Sequence, residues 1–352
     1  MNDPENSAAR YVIYGAGSIG CAVGGWLVNS GCRVLFVARP RIADAIAAGF
    51  AVQTAESKIH VRGESVTELD RDNIDPADVV LITVKSQDTG AAAARIHKLY
   101  RNDVGIVCLQ NGVSNEAIAS ESFNRVYGGL LLISTVQLDP DLVTLKGNRI
   151  AIGRYPEGSD RTAELLVGDL VRAGFNAMVS PHVMALKWAK LIANLNNASH
   201  AITGYWLERS AADPEMRTLM AAVRDEGLAV LDAAGIAVEP PEGEPSPIRI
   251  REETAKLRVR VETSDDRRTS PGEPRTYPSM LQDLMLGRKT TEADFLNGEI
   301  VRLGERLGVA TPYNRTLLDM IHKMSATAIQ PGVYSPHELR EIIIGARQGL
   351  GT

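Results

Sequence analysis

Three groups of residues in this chain have types and spacings that could carry chemistry. The first is Gly15-Ala16-Gly17-Ser18-Ile19-Gly20, a Gly-x-Gly-x-x-Gly run directly after the apolar Tyr11-Val12-Ile13-Tyr14. Its chemistry is phosphate binding. Gly15 allows a tight turn, Gly17 lets the backbone approach a pyrophosphate, and Gly20 lets a helix pack on a sheet. Ser18, Ile19 and Gly20 would place first-turn N–H groups toward the anion, where the helix dipole also favours negative charge. The second group is Lys190, Asn194 and Asn197. Their i, i+4, i+7 spacing puts them on one face of a helix, together with Leu186 and Ala193, so that face should turn inward. A lysine there can polarise a carbonyl and protonate an alkoxide, because its ordinary pKa of about 10.4 keeps it charged at neutral pH. Lys187 lies three residues earlier and competes for the role. From spacing alone, a lysine laid along a helix edge is the better description. The third is Glu292, which could cap a helix start or hold a proton or a substrate hydroxyl.

Two cations and an amide extend the first group. A dinucleotide site for NAD carries an acidic residue at the end of the second strand. This chain has Ala38-Arg39 there, and an arginine suits the 2′-phosphate of NADP(H). Lys85 ends another expected strand on the edge where ligands bind in open α/β sheets. It offers a second phosphate cation or a contact near the ribose, unless both cations are solvated surface residues. Asn111, in Gln110-Asn111-Gly112-Val113, follows a further strand. Its amide can donate and accept, which suits a nicotinamide, a ribose or a substrate oxygen; Asn-Gly is also a common turn pair.

The elements that must position these residues change character along the chain. Residues 11–14, 33–38, 79–84, 104–109 and 126–136 are apolar runs expected as strands buried on both faces, with 149–152 a further candidate. Helices are expected over 18–29 and 87–100. This alternation implies a parallel, doubly wound sheet. From residue 182 onward the pattern becomes helical, over 182–202, 214–233, 279–286, 292–307 and 312–326, with Gly235 and Gly308 as stop signals. The expected organisation is a flexible tail over 1–10, a nucleotide-binding domain over 11–180 and a helical domain over 181–352. The proline- and charge-rich span 239–278 reads as a charged helix or loop.

Composition narrows the partners. A net charge of −5 argues against nucleic acid. No apolar run reaches the ~20 residues that span a bilayer, and residues 1–10 lack an apolar signal core, so a cytoplasmic protein is expected. Cys21, Cys32 and Cys108 match neither a zinc site nor a redox pair and read as small buried hydrophobes. The six histidines form no metal spacing, and no metal is expected; His200, beside the asparagine-rich face, is the one of interest.

These motifs resemble the ketopantoate reductase (2-dehydropantoate 2-reductase) family. The resemblance rests on the glycine run, Val84-Lys85, Asn111-Gly112-Val113, Lys190-Leu191-Ile192-Ala193-Asn194, Ser279-Met280-Leu281-Gln282-Asp283, Gly287-Arg288 and Thr291 through Gly298, in that order over roughly residues 11 to 325. It implies a Rossmann domain followed by a helical domain like that of 6-phosphogluconate dehydrogenase, with the site in the cleft between them. It also implies hydride transfer from NADPH to the C2 carbonyl of a branched 2-keto acid. Lys190 matches the family's general acid, Glu292 its essential glutamate, Asn111, Asn194 and Ser279 its substrate contacts, and Arg39 and Lys85 its cofactor contacts; Asn197 is a further candidate for the substrate. Three features depart from the pattern. Ala198 stands where the family has a second asparagine, with Asn196 and Asn197 close by; Pro278 precedes Ser279 in place of a serine; and the segment from Gly287 to Glu292 is a residue longer. A related 2-keto acid or an opine-like product is therefore an alternative substrate, and a noncatalytic NADP(H) sensor is the alternative of a different class. The helical half offers surfaces for a homodimer.

Overall fold

The structure, a computed structural model, describes residues 9–241, 275–288, 291–327 and 329–349. They form two compact units, one ending at Lys187 and the other beginning at Trp188. The division falls inside a helix, later than the 180/181 boundary expected from the sequence. Of the span 239–278, residues 242–274 lie outside the described residues.

The first unit holds a ten-stranded sheet. In chain order its elements are β1 (Arg10–Tyr14), α1 (Ser18–Asn29), β2 (Arg33–Val37), α2 (Pro40–Ala48), β3 (Phe50–Gln53), β4 (Lys58–Val61), β5 (Glu64–Val66), β6 (Asp78–Ile82), α3 (Thr89–Tyr100), β7 (Gly105–Cys108), α4 (Asn115–Ser120), β8 (Val126–Asp139), β9 (Leu142–Arg154), α5 (Arg161–Arg172) and β10 (Asn176–Val179). The strand order is β4-β3-β9-β8-β7-β6-β1-β2-β5, with β10 pairing β9. β1 pairs parallel to β2 on one side and to β6 on the other. The chain therefore reverses its direction of growth at β1, which creates the switch point where such sheets bind ligands. The sheet is not wholly parallel: β8 and β9 are antiparallel, as are β3 and β4. A turn as short as Pro140-Asp141 between β8 and β9 leaves no room for a parallel crossover.

Burial explains why the strand signals were continuous apolar runs. Ile13, Phe36 and Leu81 point into one core and Val12, Leu35, Val80 and Ile82 into a second on the opposite face. Successive side chains alternate across a strand, so a sheet covered on both faces needs apolar residues at every position. The tail expectation is corrected at its last residue. Arg10 opens β1 and is buried. Its guanidinium donates from Nε to Asp78 Oδ1 at 2.7 Å, and from Nη2 to Asp78 Oδ2 at 2.8 Å and to the Asn73 carbonyl at 2.7 Å. A forked guanidinium–carboxylate pair satisfies both charges inside the sheet base. Cys21 and Cys108 are buried free thiols and Cys32 is part-buried; burial pushes the Cys21 thiol up to about 12.

Helix α6 (Val183–Asn194) crosses from the first unit into the second. The second unit continues with α7 (Asn197–Thr203), α8 (Leu207–Ala212), α9 (Pro214–Ala234), α10 (Ser279–Met285), α11 (Asn297–Leu307), α12 (Pro312–Thr327) and α13 (Pro336–Gly349). α9 is its central element, packed by α11, α12 and α13. At Gly227 an added Cβ would lie 2.6 Å from Leu195 Cδ1 and 2.9 Å from Ile192 Cδ1, so any larger residue would have to push both side chains aside where α9 packs on the end of α6. Glu226 caps α12: its carboxylate accepts from the backbone N–H groups of Tyr313 at 2.9 Å and Asn314 at 2.8 Å. Unpaired N–H groups and the dipole favour an anion at that helix start. No described helix is long and apolar enough to cross a membrane.

His200 sits in this core, 2% exposed. Its Nδ1 lies 3.0 Å from the Tyr205 carbonyl and 2.9 Å from the Ser210 hydroxyl. Burial, with the nearby Arg224 charge, pushes its pKa down to about 4. The unfolded chain, with an ordinary value near 6.5, takes up this proton first as pH falls. Stability is therefore expected to be flat above pH 6.5 and to decline between pH 6.5 and 4, by about 3 kcal/mol from this residue. Urea unfolding at stepped pH should show that decline in the parent chain and a shallower one in His200→Gln; equal slopes would exclude His200 as its source.

Candidate active site

The glycine run forms the turn between β1 and α1, at the switch point. Gly15 has φ of +92°, and an added Cβ would fall 2.3 Å from Val84 Cγ1 and 2.9 Å from the Val84 backbone nitrogen. Here the turn from β1 is pressed onto the chain leaving β6. At Gly20 a Cβ would fall 2.7 Å from Thr83 Oγ1 and 2.8 Å from Ile13 Cγ2, which is the close helix–sheet approach this position serves. Gly17 differs: a Cβ there would meet no neighbour nearer than the Gly15 carbonyl at 3.9 Å. The backbone at Gly17 faces open space, and α1 begins immediately after it. A pyrophosphate fits such a cradle, with first-turn N–H groups aimed into it.

Backbone hydrogen bonds lace the carboxyl ends of four strands together. The N–H groups of Gly15 and Ala16 both donate to the Val37 carbonyl at 3.0 and 2.9 Å, Thr83 N–H donates to Tyr14 O at 2.9 Å, and Leu109 N–H donates to Ile82 O at 3.1 Å. The Thr83 hydroxyl donates to the Gly15 carbonyl at 3.0 Å. These bonds bring the glycine loop, Arg39, Lys85 and Asn111 to one edge of the sheet. Arg39 is exposed at the start of α2, Lys85 is exposed after β6, and Asn111 is part-buried after β7.

The Asn111 loop rests on a buried polar network that the sequence did not announce. The Gln110 amide donates to Thr89 Oγ1 at 2.9 Å, and that hydroxyl donates to Asn115 Oδ1 at 2.8 Å. The Asn115 amide and the Ser86 hydroxyl donate to the Asn111 carbonyl at 2.8 and 3.0 Å. Lys187 closes the network. It is 4% exposed, forms an ion pair with the fully buried Glu116, and donates to the Gln110 carbonyl at 3.3 Å. Burial raises the Glu116 carboxyl above its ordinary range, opposed by the Lys187 charge. The two lysines are thereby distinguished: the Lys187 ammonium is held by partners within its own unit, whereas Lys190 is only part-buried.

In the helical unit the expected continuous face is corrected. α6 stops at Asn194 and Asn197 opens α7, so Lys190 and Asn194 share a helix that Asn197 does not; Ala193, expected inward, is exposed. The break has a tertiary cause. The Leu195 carbonyl accepts from the Asn297 amide at 3.0 Å, and the Asn196 amide donates to the Met220 carbonyl at 3.2 Å. Asn297 is also hydrogen-bonded to Asn314 at 2.9 Å, and Asn314 to Glu226 at 2.8 Å. Asn196 and Ala198 are both buried, so neither presents a side chain as an exposed asparagine would. Ser279 is exposed as the first residue of α10, which packs on α7. Glu292 is buried but does not open α11. It precedes a single 3₁₀ turn, Ala293–Phe295, and Leu296 redirects the chain before Asn297. The dipole of the long helix therefore does not explain Glu292. Lys289 and Thr290, in the segment one residue longer than the family pattern, lie outside the described residues. No group of three His, Cys, Asp or Glu able to hold a metal occurs among the described residues.

Comparison with known proteins adds a decisive observation. Residues 11–157 match the family model "Ketopantoate reductase PanE/ApbA", and residues 182–325 match its C-terminal counterpart. The chain belongs to the ketopantoate reductase PanE/ApbA family. It is accordingly an NAD(P)-dependent oxidoreductase with an α/β N-terminal sheet domain and a helical C-terminal domain. The 2-dehydropantoate 2-reductase of Archaeoglobus fulgidus is 29% identical over 318 residues, covering 89% of this chain and 96% of that protein. The crystal structure of a PanE/ApbA family ketopantoate reductase from Ralstonia eutropha is 29% identical, with a TM-score of 0.73 over 91% of this chain and 99% of the other. A D-mandelate dehydrogenase solved with NADH and anilino(oxo)acetate shares the fold at 23% identity, with a TM-score of 0.75 over 91% of this chain and 99% of the other.

Proposed function

We propose that this family member reduces ketopantoate to pantoate, as a cytoplasmic enzyme of pantothenate synthesis, with NADPH as the donor. Family membership carries the reading, together with the 2-dehydropantoate 2-reductases that align over nearly their whole length. NADPH supplies the hydride that reaches C2 of the keto acid. Gly15, Gly17, Ser18, Ile19 and Gly20 hold its pyrophosphate, Arg39 and Lys85 hold its 2′-phosphate, and Asn111 orients its nicotinamide end or the substrate. Arg39 supports NADPH over NADH because it stands where an NAD site needs an acid.

Lys190 is assigned as the general acid. Its ammonium hydrogen-bonds the C2 oxygen and gives up one proton as the alkoxide forms; solvent then reprotonates the amine. Each turnover consumes one hydride and one proton, so the 2-hydroxy acid forms with atoms and charge balanced. Glu292 holds the lysine or a substrate hydroxyl in place, and Asn194, Asn197 and Ser279 contact the substrate. A second reading, reduction of another 2-keto acid, draws support from the buried Ala198, which lacks an amide that the family pattern provides.

NADPH oxidation by the purified protein against a panel of 2-keto acids tests the proposal, with NADH in parallel. Ketopantoate should show the highest kcat/KM, and NADPH should be preferred at least tenfold. Turnover only with a different keto acid would keep the chemistry and move the substrate; tight NADPH binding with no turnover on any of them would point to a sensor.

A further inference from the structure

The Lys187–Glu116 pair has no place in the proton and hydride transfers above, yet it is expensive to keep. Two charges are withdrawn from water, and Glu116 Oε2 is buried with no hydrogen-bond partner. Stability alone does not account for such a pair, because a well-packed apolar pair of the same volume commonly serves as well or better. What an ion pair adds is direction. The Lys187 ammonium is tied both to Glu116, on α4, and to the carbonyl of Gln110, at the end of β7. These two attachment points bracket Asn111. The opposite side of the loop is held by Ser86 and Asn115 on the Asn111 carbonyl. Both peptide carbonyls of Gln110-Asn111 are thus fixed at the carboxyl edge of the sheet.

We infer that Lys187 and Glu116 are positioning residues for the reaction: as a buried ion pair they latch the start of α6 to the 110–116 loop and hold Asn111 in its working orientation. This rests on the reading of Asn111 as a contact to nicotinamide or substrate. It also separates the two lysines by role. Lys187 orients the loop and does not donate the proton.

Removing one partner would strand a buried charge and could prevent folding. The informative variant is therefore the apolar double substitution Lys187→Met with Glu116→Leu, measured beside the parent and beside Glu116→Gln. The double variant should fold with a melting temperature near that of the parent. Its KM for the keto acid should rise at least tenfold, with kcat falling less and the pH–rate profile keeping its shape. Amide hydrogen exchange over residues 110–116 should accelerate at least tenfold. The exchange measurement needs no turnover, so it reads the latch even if ketopantoate is not the substrate. A folded double variant with parental KM and parental exchange would overturn the latch. Loss of the limb of the pH–rate profile that reports the acid, at unchanged KM, would instead make Lys187 the proton donor.

Discussion

Lys190→Ala is expected to lower kcat by about 10²- to 10⁴-fold, the usual contribution of a positioned general acid, equivalent to roughly 3–5 kcal/mol of barrier. NADPH affinity should change less than twofold, because in the proposed mechanism Lys190 serves the keto acid's C2 oxygen and not the cofactor's phosphates. The expectation is sharp because the competing lysine is committed elsewhere. The Lys187 ammonium is buried against Glu116 and the Gln110 carbonyl, and withdrawing it to serve a substrate would leave a buried carboxylate uncompensated. Single-turnover kinetics with saturating NADPH would isolate the chemical step. Turnover within tenfold of the parent would remove Lys190 from the mechanism and leave a bound water as the proton source. A fall in NADPH affinity equal to the fall in rate would mean that the substitution had disturbed the cofactor site instead.

A second large effect is expected at the glycine loop, where two neighbouring glycines should fail in different ways. Gly15→Ala places a side chain at φ of +92°, and its Cβ collides with the backbone of Val84 as well as with the Val84 side chain. A valine methyl can rotate away, but the peptide nitrogen at 2.9 Å cannot move without shifting the end of β6. Backbone strain and overpacking each cost about 1–3 kcal/mol, so Gly15→Ala should lower the melting temperature and weaken NADPH together. Gly17→Ala meets only open space in the protein itself. It should melt like the parent and still lose at least tenfold in NADPH affinity, because the added methyl occupies volume proposed for the pyrophosphate. Calorimetry and fluorescence titration of the two variants form one experiment. Parental NADPH affinity in Gly17→Ala would place the pyrophosphate somewhere other than this loop.

Much of the sheet domain could be read from residue order because its signals are local. Helix α1 runs over Ser18–Asn29, the span its pattern predicts, since a glycine-rich turn starts it and Gly31 follows its end. The strands buried on both faces were visible as apolar runs. Elements with weaker signals are not legible in the residue order. The β3–β4 hairpin is short and partly exposed. α5 was legible in principle, from Asp160 as its cap, accepting from Thr162 N–H at 3.0 Å, and from Ala163, Leu166 and Leu170 on its buried face.

The sequence by itself determined the glycine-rich turn between β1 and α1, the change from strand to helix periodicity and the residue types able to move a proton, because each of these is written within a few consecutive turns of backbone. Tertiary structure alone decided where α6 ends and that Lys187 is buried in an ion pair with Glu116. Nothing local stops the helix at Asn194, where neither glycine nor proline follows; the amide of Asn297, 102 residues later, takes the Leu195 carbonyl. Nothing in the spacing of Lys187 and Lys190 tells them apart either. One reaches a carboxylate 71 residues earlier in the chain and is buried with it, and a charge can be buried only where the fold delivers its partner.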